Sequence, residues 1–408
     1  MWASLSQVRP TLRPGDLVAV TLPPGPAWVD LVREVWDAGA ALLPIDQRLT
    51  PPERAGLLER ARPTVVLGPE GAARPSDGLP AEPGTVLVVA TSGTAGQPKL
   101  AAFDARAVEA AVTASALALG ADPGDRWLCC LPLAHIGGLL VLLRGVLLGA
   151  PVTVHERFDP AACARERDAR FTAVVPTMLR RLLDAGVDLS GFRAILVGGA
   201  PLPSELRARA ETAGARIVET YGLTESCGGV VYDGVPLPGV EVRIGGDGGI
   251  RLRAPTLMRG YRADPEGTAA ALTRDGWLLT GDAGVLDERG RLHVVGRLDE
   301  AITTGGERVW PQEVEAVLAA HPKVAEVVVG GRPDPEWGQR VVAWVVPTDP
   351  RDPPTLSELR EAAAARLARY KAPRELVLVP ALPRTRSGKL RRRLVGAGGP
   401  PPAGDGGE

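Results

Sequence analysis

Cysteine is scarce in this chain of 408 residues: four occur, Cys129, Cys130, Cys163 and Cys227, and none stands at metal-ligand spacing. A disulfide framework is thereby excluded, and the four read mostly as small core residues. Net charge is nearly absent as well, with 47 basic side chains against 48 acidic ones. No global field therefore gathers nucleic acid or anionic lipid, and any anion site has to be local. Long apolar runs are also missing. The most apolar stretch, Ile136 to Leu148, is interrupted by Arg144 and is too short to span a bilayer, and the N-terminus has no apolar signal core. The expectation is a cytoplasmic protein with no membrane insertion. Lysine is the rarest charge: Lys99, Lys323, Lys371 and Lys389 stand beside 43 arginines. Arginine evidently supplies the general surface charge. A lysine in a Gly-rich loop then marks chemistry that needs a compact ammonium and not a planar guanidinium, and Lys99 and Lys389 qualify.

What is present suits a large soluble core. Hydrophobic residues make up 45% and charged residues 23%, which rules out a disordered chain. At roughly 150 residues per domain the length predicts two or three folding units. The 49 glycines and 39 prolines are spread over many turns. The tail 396–408, GAGGPPPAGDGGE, has nothing to bury and reads as disordered.

From Gly15 the pattern alternates. Asp16 to Leu22 is a short apolar strand, Ala27 to Ala38 has helical spacing, and Ala40 to Ile45 is apolar again. Thr50, Pro51 and Glu53 supply an N-cap, an N1 proline and a capping-box acid for a helix ending near Arg62. Further short strands are expected at Val86 to Ala90, Thr172 to Val175, Ala194 to Val197 and Arg216 to Val218, with helices between most of them. This is the pattern of an α/β fold with doubly wound sheets. After Val240 the texture changes to hairpins with Gly and Asp turns, a compact β subdomain. Beyond Asp299 come a helix at Pro311 to Ala320, β runs at Val324 to Val329 and Arg340 to Val346, a helix at Leu356 to Ala368 and a strand near Leu376. Those residues suit a small α+β lid domain. The expected division is 1–298 for a large N-terminal domain, 299–395 for the lid and 396–408 for the tail.

Four segments carry chemistry. TSGTAGQPK, Thr91 to Lys99, follows an apolar strand, and its hydroxyls, glycines and single lysine suit a phosphate cradle. It is not a Walker loop, because Lys99 is followed by Leu100 and preceded by Pro98. ETYGLTES, Glu219 to Ser226, also leaves a strand; Tyr221 could stack on an adenine, while Thr224 and Glu225 could reach a phosphate and its Mg2+. In LLTGDAGVLDERGRLHVVGRLDE, Asp282 follows a β run and Arg297 ends another, and the two could hold ribose hydroxyls, although the segment alone reads as a charged hairpin. LPRTRSGKLRRR places Lys389 in a Gly and Ser loop; without interleaved aromatics it makes a poor nucleic-acid tail.

Together these segments resemble the adenylate-forming superfamily of acyl-CoA synthetases, amino-acid adenylation domains and luciferases. TSGTAGQPK, LPLAHIGGL, VPTMLRRLL, VGGAPLP, ETYGLTE, TGD, VGRLDEAITTGGERVWPQEVE and LPRTRSGK occur in family order along essentially the whole chain. Ala95 and Leu100 depart from the usual phosphate loop, which at most implies slower or looser phosphate handling. The resemblance implies that ATP and a carboxylic acid give an acyl adenylate and pyrophosphate, after which the thiol of coenzyme A displaces AMP. By the same resemblance Thr91, Ser92, Gly93, Thr94, Gly96 and Lys99 hold phosphate, and Gly199, Ala200, Pro201, Thr220, Tyr221 and Gly222 hold the nucleotide. Glu225 would take Mg2+, with Thr224 and Lys389 catalytic and Lys389 acting as a point charge on the first transition state. Asp282 and Arg297 would hold the ribose, Asp299 would be the hinge of the lid, and Gly305 and Gly306 would meet the CoA arm.

Within the superfamily the chain looks most like o-succinylbenzoate-CoA ligases of menaquinone biosynthesis, through LPLAHIGGLLVLLRG and TYGLTESCGGVVYDGVPLPGVEVRI. An aryl- or fatty-acyl-CoA ligase is the alternative, and a carrier-protein-loading enzyme a more distant one. The acid is expected to meet His135, Arg144 and Ser226. Arg144 has two readings: it snorkels from a helix end, or it holds a second substrate carboxylate. Cys227 reads as a pocket wall, and His155, His293 and His321 as isolated structural or surface residues. The partners expected are small molecules, with no nucleic acid; a homodimer is left open.

Overall fold

The computed structural model describes residues 11–91 and 98–383. Ser92, Gly93, Thr94, Ala95, Gly96, Lys389 and the tail 396–408 lie outside the described residues. The chain divides into two compact units. One is built on the residues up to Arg243 with Arg251–Thr280 and Asp287–Leu292, the other on Ile244–Ile250, Gly281–Leu286 and the residues from His293 onward.

The first unit holds two seven-stranded sheets. One runs in the order Gly260–Tyr261, Leu100–Asp104, Thr85–Ala90, Ala41–Pro44, Leu17–Val20, Val65–Gly68, Gly71–Ala73. Its four central strands are parallel, and the outer ones turn antiparallel. The other runs Val235–Pro236, Gly228–Tyr232, Ile217–Leu223, Ala194–Val197, Ala169–Val174, Arg126–Cys129, Val152–Val154, and its last five strands are parallel. Strands buried on both faces need apolar side chains on both, which is why they read as uninterrupted runs such as LVAV and AILV. The α/β architecture with doubly wound sheets is therefore as expected.

Local signals behave as chemistry requires. Helix Pro51–Ala61 starts at Thr50, whose backbone and hydroxyl both bond the Glu53 carboxylate in a capping box. Helix Ala105–Leu119 is capped by the Asp104 carboxylate. Helices Trp28–Asp37 and Ile136–Leu147 are tied by Arg33, which donates to the Gly145 carbonyl at 2.8 Å. Strand ends differ most from expectation. The strand expected at Arg216 to Val218 runs from Ile217 to Leu223, because Gly228–Tyr232 pairs antiparallel with Thr220 to Leu223 and satisfies their backbone groups.

A four-stranded sheet of Glu241–Ile244, Gly249–Arg253, Leu278–Leu286 and Leu292–Arg297 forms the hairpin region expected after Val240, and the unit boundaries run through its strands. In the second unit the hairpin Ile302–Thr304/Glu307–Val309, the long pair Val324–Asp334/Gly338–Pro347 and Glu375–Leu378 make a five-stranded sheet. Its core gathers Val314, Leu318, Val341, Val345, Leu359 and Ala363 from that sheet and from helices Pro311–Leu318 and Leu356–Ala364. Among the described residues no helix is long and apolar enough to cross a membrane.

Candidate active site

The segment expected to hold phosphate lies between two paired strands. Strands Thr85–Ala90 and Leu100–Asp104 pair antiparallel with Ala90 opposite Leu100, so residues 91–99 connect them. Its base is laced shut: the Thr91 N–H donates to the Lys99 carbonyl at 2.8 Å, and the Lys99 N–H donates to Thr91 Oγ1 at 3.2 Å. The Lys99 ammonium sits 4.5 Å from the centroid of the Tyr261 ring, a cation–π contact. Tyr261 comes there through the edge strand Gly260–Tyr261, where it pairs with Ala101. Its hydroxyl donates to Glu225 Oε1 at 2.7 Å. Burial, with the Glu225 charge beside it, pushes the phenol far above its ordinary range, so it stays a donor at any working pH. One chain of contacts thus joins the loop lysine to the acid expected to take a metal. Tyr261 escaped sequence reasoning because neither its strand of two residues nor its separation from Glu225 leaves a local signal.

The segments expected to hold the nucleotide leave neighbouring parallel strands. Val197 is in register with Glu219, so Gly199, Ala200 and Pro201 depart beside Thr220, Tyr221 and Gly222. Thr220 Oγ1 donates to the Val197 carbonyl at 3.4 Å. Gly222 is required by contact: a Cβ there would lie 1.9 Å from the Gly228 carbonyl oxygen. Thr224, Glu225 and Ser226 then form a single turn. The carboxyl ends of parallel strands are where open α/β sheets bind ligands. The Ser226 hydroxyl is not free for one. Its side chain is buried, its hydroxyl accepts from the Leu223 N–H at 2.8 Å and lies 2.8 Å from the Gly228 carbonyl, so the group expected to meet the acid is used up in holding the turn.

Arg144 is a second correction. Its side chain is directed into the core and not toward a substrate: Nη1 donates to the Leu140 carbonyl, Nη2 donates to Ser115 Oγ, and the guanidinium lies 4.0 Å from the Trp127 ring centroid. Ser115 in turn meets the Tyr232 hydroxyl at 2.7 Å. Burial pulls the guanidinium down to about 10, and Nε has no hydrogen-bond partner. The partner that a buried charge demands is supplied by a carbonyl, a hydroxyl and the Trp127 ring, not by a carboxylate.

His135, by contrast, is half exposed at the start of helix Ile136–Leu147. Its Nε2 lies 3.2 Å from Asp46 Oδ2 and 2.9 Å from Arg48 Nη2, and Arg48 also bonds both Asp46 oxygens. Burial alone would raise the Asp46 carboxyl, but hydrogen bonds from His135 and Arg48 outweigh it and hold the group far below its ordinary value. Asp46 and Arg48, just beyond strand Ala41–Pro44, were not singled out from sequence.

In the second unit, Arg297 Nη1 donates to Asp282 Oδ1 at 2.9 Å, and Arg297 Nε reaches Asp299 at 3.4 Å. The two residues expected at a ribose are therefore adjacent, and Asp299, in the turn Leu298–Glu300, shares the same guanidinium. Gly305 and Gly306, with φ of 58° and 84°, form the two-residue turn between Ile302–Thr304 and Glu307–Val309, and both need left-handed backbone. The Gly305 N–H donates to the Trp337 carbonyl at 2.9 Å.

Comparison with known proteins identifies the family. Residues 75–262 match the AMP-binding enzyme family and 313–389 the AMP-binding enzyme C-terminal domain. The chain is 43% identical over 324 residues to a probable 2-succinylbenzoate–CoA ligase of Mycobacterium tuberculosis H37Rv, covering 76% of this chain and 83% of that protein. Among solved structures it is similar to the o-succinylbenzoate CoA synthetase of Bacillus subtilis in complex with the acyl-adenylate intermediate OSB-AMP. There the TM-score is 0.82 at 30% identity, covering 97% of this chain and 90% of the other. The same Bacillus subtilis enzyme in complex with ATP and a magnesium ion matches with a TM-score of 0.81 at 29% identity, covering 96% and 90%.

Proposed function

The chain belongs to the AMP-binding enzymes, and we propose that it is an AMP-forming acid–thiol ligase that converts 2-succinylbenzoate to 2-succinylbenzoyl-CoA, a step of menaquinone biosynthesis. The observation that carries the reading is the chain Lys99–Tyr261–Glu225, which joins the laced phosphate loop to a carboxylate at the carboxyl ends of parallel strands. The likeness to succinylbenzoate ligases supports the choice of acid.

ATP is held through its phosphates by the loop 91–99, and its adenine stacks on Tyr221. Asp282 and Arg297 take the ribose hydroxyls, the carboxylate accepting and the guanidinium donating. Among the described residues no cluster of three or more His, Cys, Asp or Glu side chains could hold a metal alone. That fits Mg2+, which is commonly bound by one or two carboxylates together with substrate phosphates, and Glu225 is the donor of the right kind. Bound there, Mg2+ would neutralise phosphate charge as pyrophosphate leaves. Thr224 supplies a hydroxyl beside Glu225. Lys389 balances the charge that develops as the substrate carboxylate attacks the α-phosphate. Coenzyme A is the second substrate, its arm passing the turn at Gly305 and Gly306. Arg144 and Ser226 have no part in reading the acid; His135 keeps that role.

The test is pyrophosphate release over a panel of aryl, dicarboxylic and fatty acids, followed by mass detection of the CoA thioester. 2-Succinylbenzoate should give the highest kcat/KM and a free CoA thioester. A higher value with a fatty or simple aryl acid would replace the substrate. Adenylate formation without CoA-dependent thioester would point to a carrier-protein loader. Lys389→Ala should cripple adenylate formation while sparing CoA transfer from supplied acyl adenylate; equal loss in both halves would remove its assigned role.

A further inference from the structure

Within the first unit, side chains from one seven-stranded sheet meet side chains from the other at the carboxyl ends of their parallel strands in two places. One is the bond from Tyr261 to Glu225. The other joins Arg48 to His135. Asp46 and Arg48 follow the carboxyl end of strand Ala41–Pro44, and His135 follows strand Arg126–Cys129 of the other sheet. Gly228 links the two places. A Cβ on that residue would lie 2.5 Å from Leu140 Cδ1 and 3.7 Å from Ile136 Cγ1, so the chain leaving the turn Thr224–Ser226 packs on the helix that starts directly after His135.

A guanidinium at such a junction can be accounted for donor by donor. Arg48 Nε donates to the two Asp46 oxygens at 3.0 and 3.2 Å, and Nη2 donates to Asp46 Oδ2 at 2.7 Å. Nη2 also lies 2.9 Å from His135 Nε2. The remaining N–H groups, on Nη1, have no acceptor among the described residues. Local pairing explains Asp46, which also accepts the Arg48 backbone N–H at 2.9 Å. It does not explain the reach to His135, because a pair so close in sequence is complete without it. Asp46, its side chain 15% exposed, fixes the guanidinium, while more than half of the Arg48 side chain stays open to solvent. A planar fork held in one orientation loses little freedom when it takes a ligand carboxylate.

We infer that Arg48 is a specificity-determining residue of the acid site: Nη1 donates to the second carboxylate of a dicarboxylic acid while the first reacts at the α-phosphate. Asp46 is the positioning residue that holds the guanidinium against His135. The inference rests on the acid–thiol ligase reading and names the group that selects the acid. Arg144, read from sequence as a candidate for this role, spends its donors on Leu140 and Ser115. Arg48 stands beside the histidine expected to meet the acid and keeps donors in reserve. A monocarboxylate leaves those donors to water and gains nothing from them, so Arg48 acts on the difference between acids.

Pyrophosphate release by the full-length protein is measured with 2-succinylbenzoate and with its two monocarboxylate analogues, each lacking one carboxylate. The wild type should prefer the diacid to the better of the two analogues. In Arg48→Gln, kcat/KM for the diacid should fall about tenfold more than for that analogue, as expected for a lost charge-assisted hydrogen bond, with the loss in KM. Arg48→Lys keeps the charge and should recover part of it. Asp46→Asn should raise KM for the diacid with kcat retained, and in the double variant with Arg48→Gln it should add little further. Thermal midpoints show that each variant is folded, and Arg48→Lys carries the test if Arg48→Gln is not. Equal losses for diacid and analogue in the folded Arg48 variants would overturn the inference and leave the ligase reading standing. A loss confined to KM for coenzyme A would assign the guanidinium to that substrate's phosphates and overturn it as well. A wild type that prefers the monocarboxylate would overturn the choice of acid and the inference together.

Discussion

Tyr261 donates its phenolic hydrogen to Glu225 Oε1 across 2.7 Å while its ring lies beneath the Lys99 ammonium. The two functions of the side chain can be separated by substitution. Tyr261→Phe keeps the ring and removes the hydrogen bond to a carboxylate, an interaction worth about 1.5–3 kcal/mol. With Glu225 only half-buried the lower end applies, so the Mg2+ concentration needed for half-maximal adenylate formation should rise about tenfold with little change in thermal midpoint. An unaltered Mg2+ requirement would disconnect Tyr261 from the metal.

The Asp282–Arg297 pair predicts equal treatment of two nucleotides. ATP and AMP carry the same ribose, so Asp282→Asn, which keeps shape and loses charge, should weaken both by a similar factor in calorimetry. The Arg297 guanidinium would remain tethered to Asp299. A loss confined to ATP would place Asp282 at the phosphates, and no loss at all would withdraw the ribose role.

Much of this was legible in the chain because it is written locally. Ala194–Val197 is apolar on both faces and bounded by polar or Gly residues, so its ends could be read to the residue. Thr50 and Glu53 announce a helix start through neighbours three apart. What was illegible depends on distant partners. The strand ending at Leu223 outruns its apolar core because a later strand pairs with it, and the strand from Val324 continues through Gly330 and Gly331 to Asp334 for the same reason. Asp46 and His135, or Glu225 and Tyr261, meet only once the sheets form. Arg144 is the mixed case: a charge on an apolar helix rightly signalled a need for partners, but the sequence could not say that Ser115, Leu140 and Trp127 would be those partners.

That placement sets an expectation for Arg144. Arg144→Ala empties a buried volume and strands the Ser115–Tyr232 pair, which should cost about 2–5 kcal/mol of stability. Arg144→Met refills the volume without a charge to desolvate, and such replacements are often near neutral. The Met variant should therefore recover most of the thermal midpoint lost in the Ala variant. Both should leave the ratio of kcat/KM for 2-succinylbenzoate to that for a monocarboxylate analogue unchanged. A selective loss for the dicarboxylate in Arg144→Met would return the residue to the acid pocket.

Asp46 gives the sharpest pH signature. Burial raises its carboxyl, but the hydrogen bonds from His135 and Arg48 bring it far below the ordinary value of 3.8. A carboxylate whose folded pKa is depressed stabilises the fold above the unfolded value and loses that contribution as pH falls toward the folded one. Asp46→Asn has no such proton to take up. The thermal midpoint of the wild type should exceed that of Asp46→Asn by a constant margin near neutrality, and the margin should shrink only as the pH drops below 3.8. Arg48→Ala should narrow the same margin at neutral pH by removing the guanidinium that holds the carboxylate. A margin that stays constant down to the acid transition would mean the Asp46–Arg48–His135 cluster stabilises the fold through packing and not through its charge.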